Sequence, residues 1–300
     1  MSVTLLCGLL VAGIGAINVP AEPFLCGGDV SEIPEVEAGG GKYFYNGKEE
    51  DPFVLMKKAG WNFVRFRIWN QPKGGWCDKD HTLKLAKRAH AQGLKISLDF
   101  HYSDWWADPG KQTKPAAWKD LSFEDLEKAV YDYTAEVVSA MNKQGTPPYM
   151  VQVGNEIVGG MLWPEGKANS NNPEQWERLG KLLNSGLKAV RDNQGKGKIL
   201  TMLHLDRGGD NKTSVWWFDK VLAQKVEFDT IGLSTIRGGT ARFKHFKRTS
   251  TILRSATKKI STSPRSPTLG DPTMLLAPMF TMAIKPKVAF LTPPRARPIF

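Results

Sequence analysis

Between Phe24 and Leu233 short apolar runs alternate with amphipathic segments, and that alternation constrains the fold more than any other feature. The pattern predicts strands over Phe24–Val30, Trp61–Trp69, Leu94–Phe100, Tyr149–Val153, Lys198–Leu205 and Phe228–Leu233. It predicts helices over Asp51–Gly60, His81–Gly93, Ser122–Gln144, Glu174–Asp192 and Ser214–Gln224. Ser122 and Asp125 are spaced as a capping box, with Asp in place of Glu or Gln. Near-continuous apolar strands with helices between them imply a parallel sheet. No Gly-x-Gly-x-x-Gly phosphate loop is present, so the expected class is α/β, a (β/α)8 TIM barrel rather than a dinucleotide-binding sheet. Such a barrel takes about 250 residues, and 41% hydrophobic content is enough to bury its core. Six β/α units are legible over residues 22–234; strands seven and eight are not recognisable.

The net charge of +11 raises a nucleic-acid or membrane reading, but the charge is not spread along the chain. From Thr235 onward there are 13 Lys/Arg and one acid, Asp271, whereas residues 1–234 hold 28 Lys/Arg and 29 Asp/Glu. All ten Trp and all six Tyr lie before residue 235. The basic character belongs to the tail, and the body is expected to bind neither nucleic acid nor membrane. Residues 1–21 read as a signal peptide: Val3–Ile17 is apolar but too short to span a bilayer, and Val19-Pro20-Ala21 offers a small-residue cleavage site. A positive segment before the apolar run is missing, and a short buried helix is the alternative. Secretion to the periplasm or medium is the expectation that follows. Cys7 would leave with the leader; Cys26 and Cys77 could then pair, which spacing alone does not decide.

Polar and aromatic residues gather just after the strand ends: Asp29, Asn70, the run His101 to Asp104, Asn155-Glu156, and His204 to Asp206. The carboxyl ends of the strands are where barrel enzymes keep their chemistry. Glu156 follows the strand and precedes Gly159-Gly160-Met161-Leu162-Trp163-Pro164, a loop able to close over a ligand. An Asn-Glu pair also occurs in ordinary surface turns, and a lone His at a strand end is more often a structural hydrogen-bonder than a catalyst. No metal cluster with standard ligand spacing appears, and no cofactor is implied.

The segments GGDVS (27–31), VRFRIWNQP (64–72), LDFHYSDWWADPGKQTKPAAW (98–118), VQVGNEIVGGMLWPEG (151–166), MLHLDRGGDN (202–211) and FDTIGLS (228–234) resemble the motifs of glycoside hydrolase family 53, the arabinogalactan endo-β-1,4-galactanases. The resemblance covers residues 26–234, with Trp105 standing where the family usually has Thr. It implies a retaining cleavage of β-1,4-galactan or arabinogalactan by two glutamates, with Glu156 as the acid/base after strand four. It also implies substrate contacts from Asp29, Arg65, Arg67, Trp69, His101, Asp104, Asn155, Trp163, His204 and Asp206: Arg65 and Arg67, on one face of the second strand, would position Glu156 or the nucleophile, and Trp69 and Trp163 would be stacking surfaces for the sugar, with core packing the alternative for Trp69. The nucleophile belongs after strand seven, and the family's calcium loop, where present, falls beyond that strand.

After Ser234 the resemblance stops where the charge balance breaks. Respelling Thr235 to Arg242 one base earlier permits Tyr-Tyr-Pro-Trp-Trp-His-Gly-Thr, the family's continuation. The same shift continued from Phe243 gives LQALQANLNDIAQRYKKDIYVAEIAYP, a helical pattern followed by a strand that ends in a glutamate near position 264. Residues 235–300 therefore read as a basic tail out of frame, and the chain as written lacks the nucleophile. A divergent basic tail is the alternative. Two other functions compete with the enzyme reading: a catalytically inactive carbohydrate-binding barrel, and a nucleic-acid binder acting through the tail, against which stand its few aromatic residues and lack of a recognised motif.

Overall fold

The computed structural model describes residues 24–234. The leader, Cys7, the basic tail, Asp271 and position 264 lie outside the described residues.

Six parallel strands form one sheet: β1 (Gly27–Asp29), β2 (Phe63–Ile68), β3 (Lys95–Phe100), β4 (Met150–Val153), β5 (Leu200–Leu205) and β6 (Thr230–Leu233). They pair in chain order from β1 to β6 without a reversal. A doubly wound sheet reverses its order partway to place helices on both faces; here every crossover runs the same way and the helices cover one face. These are α1 (Ile33–Ala38), α2 (Pro52–Lys58), α3 (Lys79–Ala91), α4 (Phe123–Lys143), α5 (Pro173–Asp192) and α6 (Asn211–Ala223).

Side chains alternate across each strand, and the alternation divides two jobs. Val64, Phe66, Ile68, Leu98, Phe100, Val151, Val153, Leu203 and Leu205 form one buried cluster with the helices. The opposite, concave face begins with a smaller apolar plug of Leu25, Phe63, Met150 and Met202. Above it, toward the carboxyl ends, the same face carries buried Arg65, Arg67, Asp99, Gln152 and His204.

Short polar side chains start most of the helices by accepting an otherwise orphaned backbone N–H: Asp51 from Phe53 at 2.7 Å, Asp78 from His81 at 2.8 Å and Asn172 from Glu174 at 3.0 Å. Ser122 caps α4 through the Asp125 N–H at 3.1 Å, as expected, but the reciprocal arm differs. Asp125 accepts from the Ser122 hydroxyl at 2.8 Å, its side chain being one methylene shorter than that of the usual partner. The first strand is shorter than predicted. Helix α1 and the small hairpin of Phe44–Tyr45 with Lys48–Glu49 were not anticipated, although Asn46-Gly47, both at positive φ, is a recognised hairpin turn pair. Cys26 and Cys77 are not joined: Cys26 is exposed, and Cys77 is buried with its thiol pushed up to about 11 by that burial. No described helix is long and apolar enough to cross a membrane.

Candidate active site at the carboxyl ends of the strands

Glu156 is held by a backbone that few residues adopt. After β4 the chain turns at Gly154 (φ 84°), and Glu156 itself is left-handed (φ 50°, ψ 49°), a conformation that costs an L-residue about 1–2 kcal/mol. A side chain at Gly154 would meet Ile157 Cγ2 at 2.7 Å, so the turn needs glycine for space as well as for φ. Across the mouth, Ser234, the residue after β6, donates its hydroxyl to Glu156 Oε1 at 2.9 Å. Burial pushes the Glu156 carboxyl above its ordinary range; the Ser234 hydroxyl pulls it down, and the charge of Asp206 pushes it up further. A buried carboxyl that keeps its proton to higher pH is a proton donor. Asp206, after β5, is also raised by burial, against the Arg207 guanidinium at 3.0 Å.

Below Glu156 lies a charged network that spans four strands. Arg65 on β2 donates to Asp29 at 2.8 Å, to Gln152 Oε1 at 3.1 Å and to Asn155 Oδ1 at 3.0 Å, and pairs with Asp99 at 2.5 Å. Asp99 is fully buried. Burial alone would raise its carboxyl, but Arg65 and His101 outweigh it and hold the carboxyl below its ordinary value. His101 Nδ1 accepts the Ala107 N–H at 3.0 Å, which leaves Nε2 to donate to Asp99 at 2.9 Å. Gln152 donates to Asp99 and to the Gly154 carbonyl. His204 is pushed down to about 3 by burial and then by Arg65, so it stays neutral beside Asn155 Oδ1 at 3.1 Å and the Glu156 N–H at 3.4 Å.

The structure brings Asp29, Arg65, Arg67, His101, Asn155, Glu156, His204 and Asp206 to one end of the sheet, but several have their polar atoms committed within the protein. Asp29 accepts from Ser31, Arg65 and Arg67. His101 uses both ring nitrogens, and the Asn155 amide donates to the Ala107 carbonyl at 2.8 Å. Arg67 pairs with Glu32 and lies over the Trp106 ring at 4.1 Å. Trp69, predicted as a stacking surface, is 2% exposed and packs beneath Trp105 at 4.6 Å, so its ring faces Trp105 and not solvent. Asp104 accepts the backbone N–H of Gln71 and of Ala116, each at 2.8 Å, which makes it a staple between two loops. The loop after Glu156 was expected to be free to close. Instead it forms a small hairpin, Gly160–Met161 with Gly166–Lys167, with Gly159 to Leu162 buried. Trp163 stands half-buried at its tip.

Asp99, Gln152 and Ser234 were missed. Two of them had a signal: a carboxylate and an amide inside otherwise apolar strands, each on the face shared with Arg65. Ser234 had none, since nothing local to it indicates a bond to a residue 78 positions earlier.

A sequence profile described as Glycosyl hydrolase family 53 matches residues 25–260. An uncharacterized protein of Niallia circulans is 48% identical over 71% of this chain and 59% of its own length. An arabinogalactan endo-β-1,4-galactanase of Thermothelomyces thermophilus is 37% identical over 68% of this chain and 61% of its own. Among solved structures, one from a study of two fungal β-1,4-galactanases superposes with a TM-score of 0.72 at 34% identity, covering 77% of this chain and 70% of that one. The chain spans about three-fifths of the length of the curated relatives it matches.

Proposed function

The chain belongs to glycosyl hydrolase family 53, and from that membership we propose a hydrolase that cuts β-1,4-galactan or arabinogalactan internally with retention of configuration. The fold is the family's (β/α)8 barrel, of which the described residues form six consecutive units. The observation that carries the reading is Glu156: a half-buried carboxyl with a raised pKa at the end of β4, backed by Asn155, His204 and the Arg65 network.

In the proposed reaction Glu156 gives its proton to the glycosidic oxygen as the bond to the anomeric carbon breaks. A second carboxylate about 5–5.5 Å away takes that carbon as a glycosyl ester. Glu156, now ionised, then removes a proton from the water that releases the sugar. The second carboxylate is the glutamate read near position 264 in the shifted frame, and activity is proposed for the frame-restored protein. Secretion remains part of the proposal, resting on the apolar leader and on a polymeric substrate too large to enter a cell.

The absence of any acid but Asp271 after Ser234 favours a second reading of the chain as written, a sugar-binding barrel without turnover. Hydrolysis of linear β-1,4-galactan by the frame-restored protein, followed by NMR, should show β-anomers first, with oligosaccharides of intermediate length. An initial burst of α-anomer, or activity on mannan and none on galactan, would overturn the proposal.

A further inference from the structure

Outside the hydrogen-bonded network of Glu156, the loop after β3 and the hairpin after β4 line an open groove of about 680 Å³. Its walls include the indoles of Trp105, Trp106 and Trp163, with Lys114 and Glu165 between them. Trp105 is 55% exposed, one of four large apolar side chains in the described residues that face solvent. It is held in place from below: its ring lies 4.6 Å from that of the buried Trp69, tilted by 35°. An exposed indole that rests on a second buried indole costs little entropy to use and offers a flat apolar surface.

The polar part of the groove is equally fixed. Lys114 and Glu165 pair at 2.7 Å with their side chains only 9% and 19% exposed. Lys114 also donates to the Lys119 carbonyl at 2.9 Å. The other carboxylate oxygen of Glu165 is buried without a partner among the described residues. A rigid aromatic wall beside a few placed polar groups is the make-up of a small-ligand site. The groove is also coupled to the mouth: the Gln112 side chain donates to the Asn155 carbonyl at 2.9 Å, and the Gln112 carbonyl accepts the Trp163 N–H at 2.7 Å.

We propose that this groove is a second sugar-binding position, in which Trp105 stacks against one neutral hexopyranose of the same polysaccharide chain that passes Glu156. A pyranose presents a patch of C–H bonds on one face and hydroxyls around its rim. With the axial O4 of a galactosyl unit, the C–H patch is continuous on one side, which suits the exposed indole, while Lys114 and Glu165 meet the rim. The choice of a galactosyl unit rests on the galactan reading above; the platform itself does not.

The test is retardation in native gels containing linear β-1,4-galactan or β-1,4-mannan of the frame-restored protein carrying Glu156→Gln, so that the polysaccharide is not cut, comparing this parent with its Trp105→Ala and Trp105→Phe forms. The expected result is retardation of the parent by galactan, about tenfold weaker affinity for Trp105→Ala, as for loss of an aromatic anchor, and recovery with Trp105→Phe. Galactan retardation equal in all three proteins would overturn the platform and leave the galactan reading standing. Retardation by mannan alone, lost in Trp105→Ala, would keep the platform and overturn the galactosyl assignment. A parent that neither polysaccharide retards would overturn the platform outright.

Discussion

At the scale of single residues, the mouth of the sheet separates two kinds of ionisable group. Asp99 is stabilised as an anion by Arg65 and His101, whereas Glu156 is left half-buried with one hydroxyl for company. Environments that push two carboxyls apart mark an acid and its support. Glu156→Gln in the frame-restored protein should therefore slow galactan hydrolysis by about 10²–10⁴-fold, while sparing the first step on an aryl galactoside whose leaving group needs no proton. Equal losses on both substrates would remove Glu156 from the acid role. His204 supplies a separate, stability-based test. Its folded pKa of about 3 lies below the ordinary 6.5, so between those values the unfolded chain binds the extra proton. Stability is then complete above pH 6.5 and falls as pH drops toward 3. Urea midpoints should decline over that window in the parent and much less in His204→Asn. Asp99 acts lower down, since its stabilisation is lost only below the ordinary carboxylate value. A decline that His204→Asn leaves unchanged would place the proton uptake elsewhere.

At the scale of elements, the sequence revealed the periodic pieces and concealed the close approaches. Among the described residues, all six strands of the main sheet and five of the six α-helices were legible because apolar period and helix caps are local properties. Helix α1 was hidden because six residues with one buried side chain, Ile33, carry little periodicity. The pinned hairpin after Glu156 was hidden because its constraint is distant: the Trp163 N–H is taken by Gln112. Gly186 shows the same contrast. In sequence it is a weak spot within α5, since Ala is favoured over Gly in a helix by about 1 kcal/mol. In the fold a Cβ there would stand 2.8 Å from Tyr102 Oη and 2.9 Å from Val153 Cγ1, and Tyr102 is fixed by its bond to Thr134 at 2.8 Å. Overpacking of this kind costs about 1–3 kcal/mol, which exceeds the propensity gain. Gly186→Ala should thus lower the urea midpoint; a higher midpoint would show that α5 can draw back from β4.

At the scale of the whole molecule, β1 and β6 each pair on one side only among the described residues. An unpaired strand edge is a template for association with other chains, and in the family's barrel two further strands cover both edges. On the proposed reading that residues 235–300 are out of frame, strands seven and eight are not encoded, and the chain as written is then expected to be poorly soluble and inactive on galactan. Restoring the frame by one base after codon 234 should recover solubility and activity together. A literal chain that is soluble and fully active would refute the frame reading and place the nucleophile on a residue not identified here. The gathering of Asn155, Glu156 and His204 at one end of the sheet was legible because these residues follow or end strongly periodic strands. The Asp29–Arg65–Asp99 brace was not, because three strands must first be aligned before its members meet.

The order of the strands also sets a schedule for synthesis. Each strand pairs with the one made just before it, so the sheet can be laid down as the chain leaves the ribosome, N-terminal part first. Arg65, Asp99 and Asn155 can come together once β4 has emerged, and Glu156 arrives with them. Its hydroxyl partner is translated 78 residues later, so the Glu156 carboxyl waits through most of the second half of assembly before its hydrogen-bonded environment is complete.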